Sequence, residues 1–190
     1  MRIIAGEAKG RRLIAPKGME TRPTADKTRE SLFSILMRYV GDAKVLDLFG
    51  GTGALALEAI SRGAQSAVVC DISDPAIKAI RANALAVTKD DGRVRVFKAD
   101  YKAALERLKT ERFDLVFLDP PYRLSEAYAY SARFLLENGM LNEDAIVAAE
   151  RSTQLEISWP KGLTKYDTRQ YRDTAIDFLR RDTDEQGTEE

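Results

Sequence analysis

Histidine is absent from this chain, and cysteine and tryptophan occur once each, at Cys70 and Trp159. Without histidine, no His-based catalytic triad and no His metal ligand can be built. A single cysteine completes neither a Cys-rich zinc site nor a disulfide within the chain, so no metal is expected. No apolar run reaches the length that crosses a bilayer, and the first residues lack the apolar core of a secretory leader. A lone thiol suits a reducing compartment, and a cytoplasmic location is the expectation. Cys70 closes an apolar run and reads as a core thiol, not a nucleophile. Net charge is missing too: 30 Lys and Arg balance 30 Asp and Glu. Any polyanion must therefore be met by a local patch. Neither G-x-x-x-x-G-K-[ST] nor G-x-G-x-x-G occurs, which argues against a P-loop and weakens a dinucleotide-dependent reading.

What is present begins with Asp119-Pro120-Pro121-Tyr122, directly after the apolar run Phe113–Leu118. That run reads as a buried strand. Each proline fixes its own φ, lacks an N–H and restricts its predecessor, so the backbone is stiff and its carbonyls are left without neighbouring amides. Tyr122 adds a flat face. The combination suits a planar base with an exocyclic amine: Asp119 and the carbonyls accept its protons while the ring stacks. Such an amine is a weak nucleophile because its lone pair is delocalised, so orientation and electrostatics must carry the catalysis.

Upstream, Lys44–Leu48 reads as a strand running into Phe49-Gly50-Gly51-Thr52-Gly53, then a helix over Ala54–Ile60. Strand, glycine turn and helix form the nucleotide-binding corner of a doubly wound α/β sheet. A second strand, Ala67–Cys70, ends at Asp71, where such folds place an acid on a ribose. A third, Val94–Phe97, leads to Asp100, which can accept from an adenine amine. Asp47, Asp71, Asp100 and Asp119 thus recur at strand ends, although any one of them could equally be a helix cap. Further elements are helices Pro75–Ala86, with Ile77, Ile80 and Leu85 inward, Lys102–Leu108 and Leu124–Asn138. Strands are predicted over Ala145–Ala149, Leu155–Trp159, Tyr166–Tyr171 and Ala175–Leu179, the last ones at an antiparallel end. Trp159 reads as core or edge packing.

The N-terminal segment Met1–Pro16 has two β-prone runs around Gly6–Gly10, a hairpin carrying Arg2, Lys9, Arg11 and Arg12 against Glu7. Thr24 could cap a helix whose apolar stripe is Leu32, Phe33, Ile35 and Leu36. Basic residues gathered at one end of a neutral chain suit a phosphate backbone. One unit over residues 1–190 is expected: an extension over 1–43, a core over 44–181 and an acidic tail over 182–190 with nothing to bury.

Residues Val45 to Glu150 resemble the S-adenosylmethionine-dependent methyltransferases of the Rossmann-like class. The resemblance implies a mostly parallel seven-stranded sheet with helices on both faces. It implies cofactor contacts from Asp47, Phe49, Gly50, Gly51, Gly53, Asp71, Asp100 and Asp119, and a catalytic tetrapeptide Asp119, Pro120, Pro121 and Tyr122. That tetrapeptide serves adenine N6, cytosine N4 and guanine N2 alike. The order of hairpin, Arg22-Pro23-Thr24-x-Asp26-x-x-Arg29-Glu30-x-x-Phe33, glycine loop and tetrapeptide resembles the bacterial 16S ribosomal RNA guanine-N2 methyltransferase family (RsmD). This implies a 16S RNA substrate, within a partly or fully assembled 30S particle. RNA contacts would come from Arg2, Lys9, Arg11, Arg12, Arg22, Thr24, Asp26 and Arg29. An adenine-N6 methyltransferase and a non-catalytic RNA-binding module remain the alternatives, and the oligomeric state stays open. Whether Asp119 or water takes the departing proton is also open.

Overall fold

The computed structural model describes residues 1–16 and 23–182, with side chains from residue 26 onward in the second stretch. Arg22 and residues 183–190 of the acidic tail lie outside the described residues. The chain opens with a hairpin and two helices, α1 (Pro23–Ile35) and α2 (Met37–Val40). An alternating core follows: β1 (Lys44–Asp47), α3 (Ala54–Ser61), β2 (Ser66–Asp71), α4 (Asp74–Thr88), β3 (Val94–Lys98) and α5 (Tyr101–Leu108). It continues with β4 (Phe113–Leu118), α6 (Glu126–Glu137), β5 (Leu141–Ser152), β6 (Leu163–Tyr171) and β7 (Thr174–Arg181). The seven strands form one sheet in the order β3-β2-β1-β4-β5-β7-β6. β1 to β5 run parallel, and β7 returns antiparallel between β5 and β6.

Each central strand is apolar on both faces because both faces are covered. Val45, Val69, Leu115, Phe117 and Ile146 point into one core, shared with the hairpin and α1 to α4. Leu46, Val68, Val116, Leu118 and Val147 alternate into the other, under α5 and α6. The order reverses between β1 and β4, and a crevice opens beyond the strand ends at such a reversal. The glycine loop and the tetrapeptide leave β1 and β4 at that point.

The N-terminal hairpin is real but minimal, with one antiparallel bridge between Arg2 and Arg12. Beyond it the Ile3 amide still donates to the Arg11 carbonyl and the Gly10 amide to the Ile3 carbonyl, both at 2.9 Å, before the following amides turn to α3. The N–H groups of Ile4 and Ala5 donate to the Glu58 carboxylate at 2.8 and 3.0 Å. Ser61 Oγ accepts from the Ala8 amide at 3.0 Å and donates to the Ala5 carbonyl at 2.6 Å. Gly6 has φ +85° at this junction, and a Cβ there would stand 1.7 Å from the Ser61 carbonyl oxygen. Only glycine lets the arm lie this close. At its far end Asn83 of α4 binds both the amide and the carbonyl of Ile14, and donates to the Thr52 carbonyl at 2.8 Å.

Four sequence expectations are corrected. Helix α1 starts at Pro23, so Thr24 lies inside its first turn and is not its cap; proline is at home at a first helical position. Leu85 is 59% exposed, because the buried stripe of α4 runs through Ile77, Ile80, Ala84 and Val87. Leu155–Trp159 is not a strand. Its alternating Leu155, Ile157 and Trp159 pack onto the second core while β4 and β7 already flank β5. β5 is also longer than the apolar run, starting at Leu141, with a register shift against β4 between Phe113 and Leu115. Among the described residues no helix is long and apolar enough to cross a membrane.

Candidate active site

The glycine loop is bound to the end of β2 by its own backbone. The Gly50 amide donates to the Cys70 carbonyl at 2.8 Å. A Cβ on Gly50 would meet Val69 at 2.5 Å and Ile80 at 2.9 Å, so this close approach requires glycine. Asp71 Oδ2 accepts from the Gly51 amide at 2.9 Å and Oδ1 from the Ser73 amide at 2.8 Å. Each oxygen keeps a second lone pair, and the residue is half-exposed, so it retains capacity for two hydroxyls.

Asp47 is 2% exposed at the root of the loop, with the Phe49 amide on its Oδ1 at 3.3 Å. Burial, helped by the nearby charge of Asp71, pushes its carboxyl up to about 7. Phe49 packs against Tyr101, their ring centres 5.7 Å apart. Asp100 caps α5: its Oδ1 accepts from the Lys102 and Ala103 amides at 2.9 and 3.1 Å. Its other oxygen remains exposed, so capping and ligand contact are compatible there.

Asp119 follows Leu118 at the end of β4. The residue is exposed, although protein crowds its carboxyl. Partial desolvation, then the charges of Glu150 and Asp47, hold its carboxyl well above the ordinary carboxylate range. The Pro121 carbonyl accepts from the Leu124 amide at 2.8 Å, closing a turn. The expectation of unpaired proline carbonyls therefore fails for Pro121, and the Pro120 carbonyl takes no hydrogen bond among the described residues. Tyr122 is 75% exposed, its ring free to meet a second plane.

Sequence reasoning missed Glu150, Glu58 and Asn83 as residues that shape this region. Glu150 sits beside Asp119 at the end of β5, and nothing in a linear chain announces that neighbourhood. None of Asp47, Asp71, Asp119 and Glu150 has an ion-pair partner among the described residues. Asp47 feels the charge of Asp71, and Asp119 feels those of Asp47 and Glu150. The crevice thus gathers carboxyl groups without a counter-charge, and a cationic ligand would favour their ionised forms.

Arg2, Lys9, Arg11 and Arg12 are exposed on the hairpin, while Ile3 and Leu13 turn inward. Glu7, the acid between them, is taken by Arg93 at 2.5 Å. Arg29 corrects the expectation of an RNA contact. It is 4% exposed, bound to the Arg2 carbonyl and to Asp26 at 3.1 Å, and faces Glu58 at 3.8 Å. Asp26 is occupied by the same pair. The signal was present: Arg29 is one turn before Leu32 and Phe33, on the inward stripe of α1.

Fold and crevice together define a Rossmann-like methyltransferase. The chain belongs to the family described as conserved hypothetical protein 95, whose model matches residues 1–180. YlbH of Bacillus subtilis is 37% identical over 161 residues, covering 83% of this chain and 85% of its own. Ribosomal RNA small subunit methyltransferase D of Escherichia coli K12 is 36% identical over 154 residues, 81% of this chain and 76% of its own. The solved structure of yhhF from Escherichia coli has a TM-score of 0.82 at 31% identity, covering 95% of this chain and 97% of that one.

Proposed function

We propose that this chain transfers a methyl group from S-adenosylmethionine to the exocyclic N2 amine of a guanine in 16S ribosomal RNA, in the cytoplasm, on a partly or fully assembled 30S particle. The observation that carries the reading is the row of carboxyl groups at the C-terminal ends of β1, β2 and β4 and in β5, without ion-pair partners among the described residues, beside a loop that Gly50 presses against β2. When bound, the cofactor supplies an electrophilic methyl on a positively charged sulfonium. Asp47 and the Gly50–Gly53 backbone would hold its amino-acid end, Asp71 its ribose hydroxyls and Asp100 its adenine amine. Asp119 and the Pro120 carbonyl accept the hydrogens of the base amine and hold it for attack, and Tyr122 stacks on the ring. The base reaches this depth from a loop or flipped out of a helix. Arg2, Lys9, Arg11 and Arg12 supply phosphate contacts. The relative named for small-subunit RNA supports this substrate class.

The test is transfer of labelled methyl to 16S RNA, alone and assembled with small-subunit proteins, followed by nucleoside analysis. Label in N2-methylguanosine is the expected result. Label in N6-methyladenosine would keep the chemistry and reject the base.

Asp47 gives a separate prediction. Its carboxyl titrates near 7 in the free protein, and a bound cation favours the charged form, so binding lowers that value and releases a proton. Cofactor affinity should rise as pH increases from 6 to 8 and then level. Calorimetry in two buffers of different ionisation enthalpy reads the proton directly. A flat profile in wild type, or an Asp47→Asn variant with the same slope, would assign the effect elsewhere.

A further inference from the structure

We propose that Glu150 selects the base: its carboxylate accepts the N1–H of guanine while Asp119 holds the neighbouring N2 amine. This rests on the guanine reading above and adds a residue that reads the ring.

The argument starts from register. Leu118 of β4 pairs with Ala149 of β5 in parallel, so Asp119, just past the end of β4, and Glu150, still within β5, stand side by side, about 4.8 Å apart at the backbone. Glu150 is fixed by its main chain. It pairs with Ile176 of β7, and its carbonyl accepts from the Tyr128 hydroxyl. Its carboxylate has no hydrogen bond or ion pair among the described residues. The cation next to it is committed elsewhere, since Arg151 holds Asp177 through two contacts of 2.8 and 3.0 Å. Two carboxyl groups therefore stand together in the crevice, the charge of Glu150 raising the cost of ionising Asp119, and a pair of N–H donors bound between them would favour both ionised, acceptor-only forms.

That pair matches one edge among the bases with exocyclic amines. In guanine the N2 amine lies beside N1–H, so two donors meet two acceptors. In adenine the N6 amine lies beside the N1 lone pair, and in cytosine the N4 amine lies beside the N3 lone pair. A carboxylate facing either lone pair is repelled and left unsatisfied, which discriminates more strongly than a shape mismatch. The Asp-Pro-Pro-Tyr segment is indifferent to this difference; Glu150 is not.

The test uses 16S RNA assembled by splinted ligation, with the target guanine, located by mass mapping of nuclease fragments, either retained or replaced by 2-aminopurine. That analogue keeps the C2 amine and carries a lone pair at N1. Wild type should prefer guanine by roughly 100-fold in kcat/KM. Glu150→Gln, whose amide can donate to a lone pair, should lose roughly 10- to 100-fold on guanine and bring the preference below about 10-fold. Cofactor affinity should stay at the wild-type value, and the variant should melt no lower than wild type, since Glu150 is a carboxyl whose burial disfavours its charge. Equal use of the two RNAs by wild type, or an unchanged preference in Glu150→Gln, would overturn the proposal. Label in adenine would instead remove the reading beneath it.

Discussion

Asp119→Asn should lose methyl transfer by on the order of a thousandfold and melt at a higher temperature than wild type at pH 8. The two effects share a cause. The carboxylate proposed to accept the amine's hydrogens stands among Glu150 and Asp47, and its proton is held more tightly in the folded state than in the unfolded chain. Between the two values the native state binds more protons, so wild-type stability falls as pH rises through that window. Asparagine removes the titrating group and with it the loss. The advantage of the variant should therefore grow from pH 5 to pH 8 and vanish near pH 3, below the ordinary carboxylate range. Scanning calorimetry at these pH values, with single-turnover methylation beside it, measures both. A variant that is active, or that is less stable at pH 8, would mean the carboxylate is structural.

Glu58→Ala should give the largest stability loss, about 3–5 kcal/mol, or roughly 10 °C in melting temperature. Glu58 is fully buried, accepts the Ile4 and Ala5 amides, binds Arg62 at 2.8 Å and faces the buried Arg29. Truncation leaves two amides without acceptors and a guanidinium without its counter-charge. The double variant Arg29→Met with Glu58→Gln should be less damaging than Glu58→Gln alone, because it removes a buried cation that only the half-exposed Asp26 would still balance. Additive losses would show that the two charges do not interact. The hairpin should detach first, seen as faster exchange of the Ile4 and Ala5 amides.

Much of the fold was legible because parallel strands buried on both faces are continuous apolar runs. Val45–Leu48, Ala67–Cys70 and Phe113–Leu118 can be read without knowing their neighbours. The glycine loop and Asp119–Tyr122 were legible for a related reason: each is local chemistry attached to a strand end. What failed depended on distant partners. Leu155–Trp159 alternates like a strand, and only the filled edges of β5 exclude it. Arg29 reads as a surface charge until Glu58, from another helix, stands opposite it. Glu58 had a faint signal, a lone acid in the otherwise apolar and small Ala54–Ser61 helix, which leaves no polar face to carry it. Glu150 had none, since its meaning arises from the pairing of Leu118 with Ala149.

The two ends of the hairpin both fasten to one residue of the glycine loop: Thr52 donates its hydroxyl to the Met1 sulfur, and its carbonyl shares Asn83 with Ile14. Ordering the arm and ordering the loop are then a single event with two handles. Coupling of that kind is reciprocal by thermodynamic necessity. On the proposed reading that the arm takes RNA, any factor by which RNA tightens the hold on the cofactor equals the factor by which the cofactor tightens the hold on RNA. The cycle has one coupling constant, and whatever tightening is read from one side must be found, equal in size, from the other.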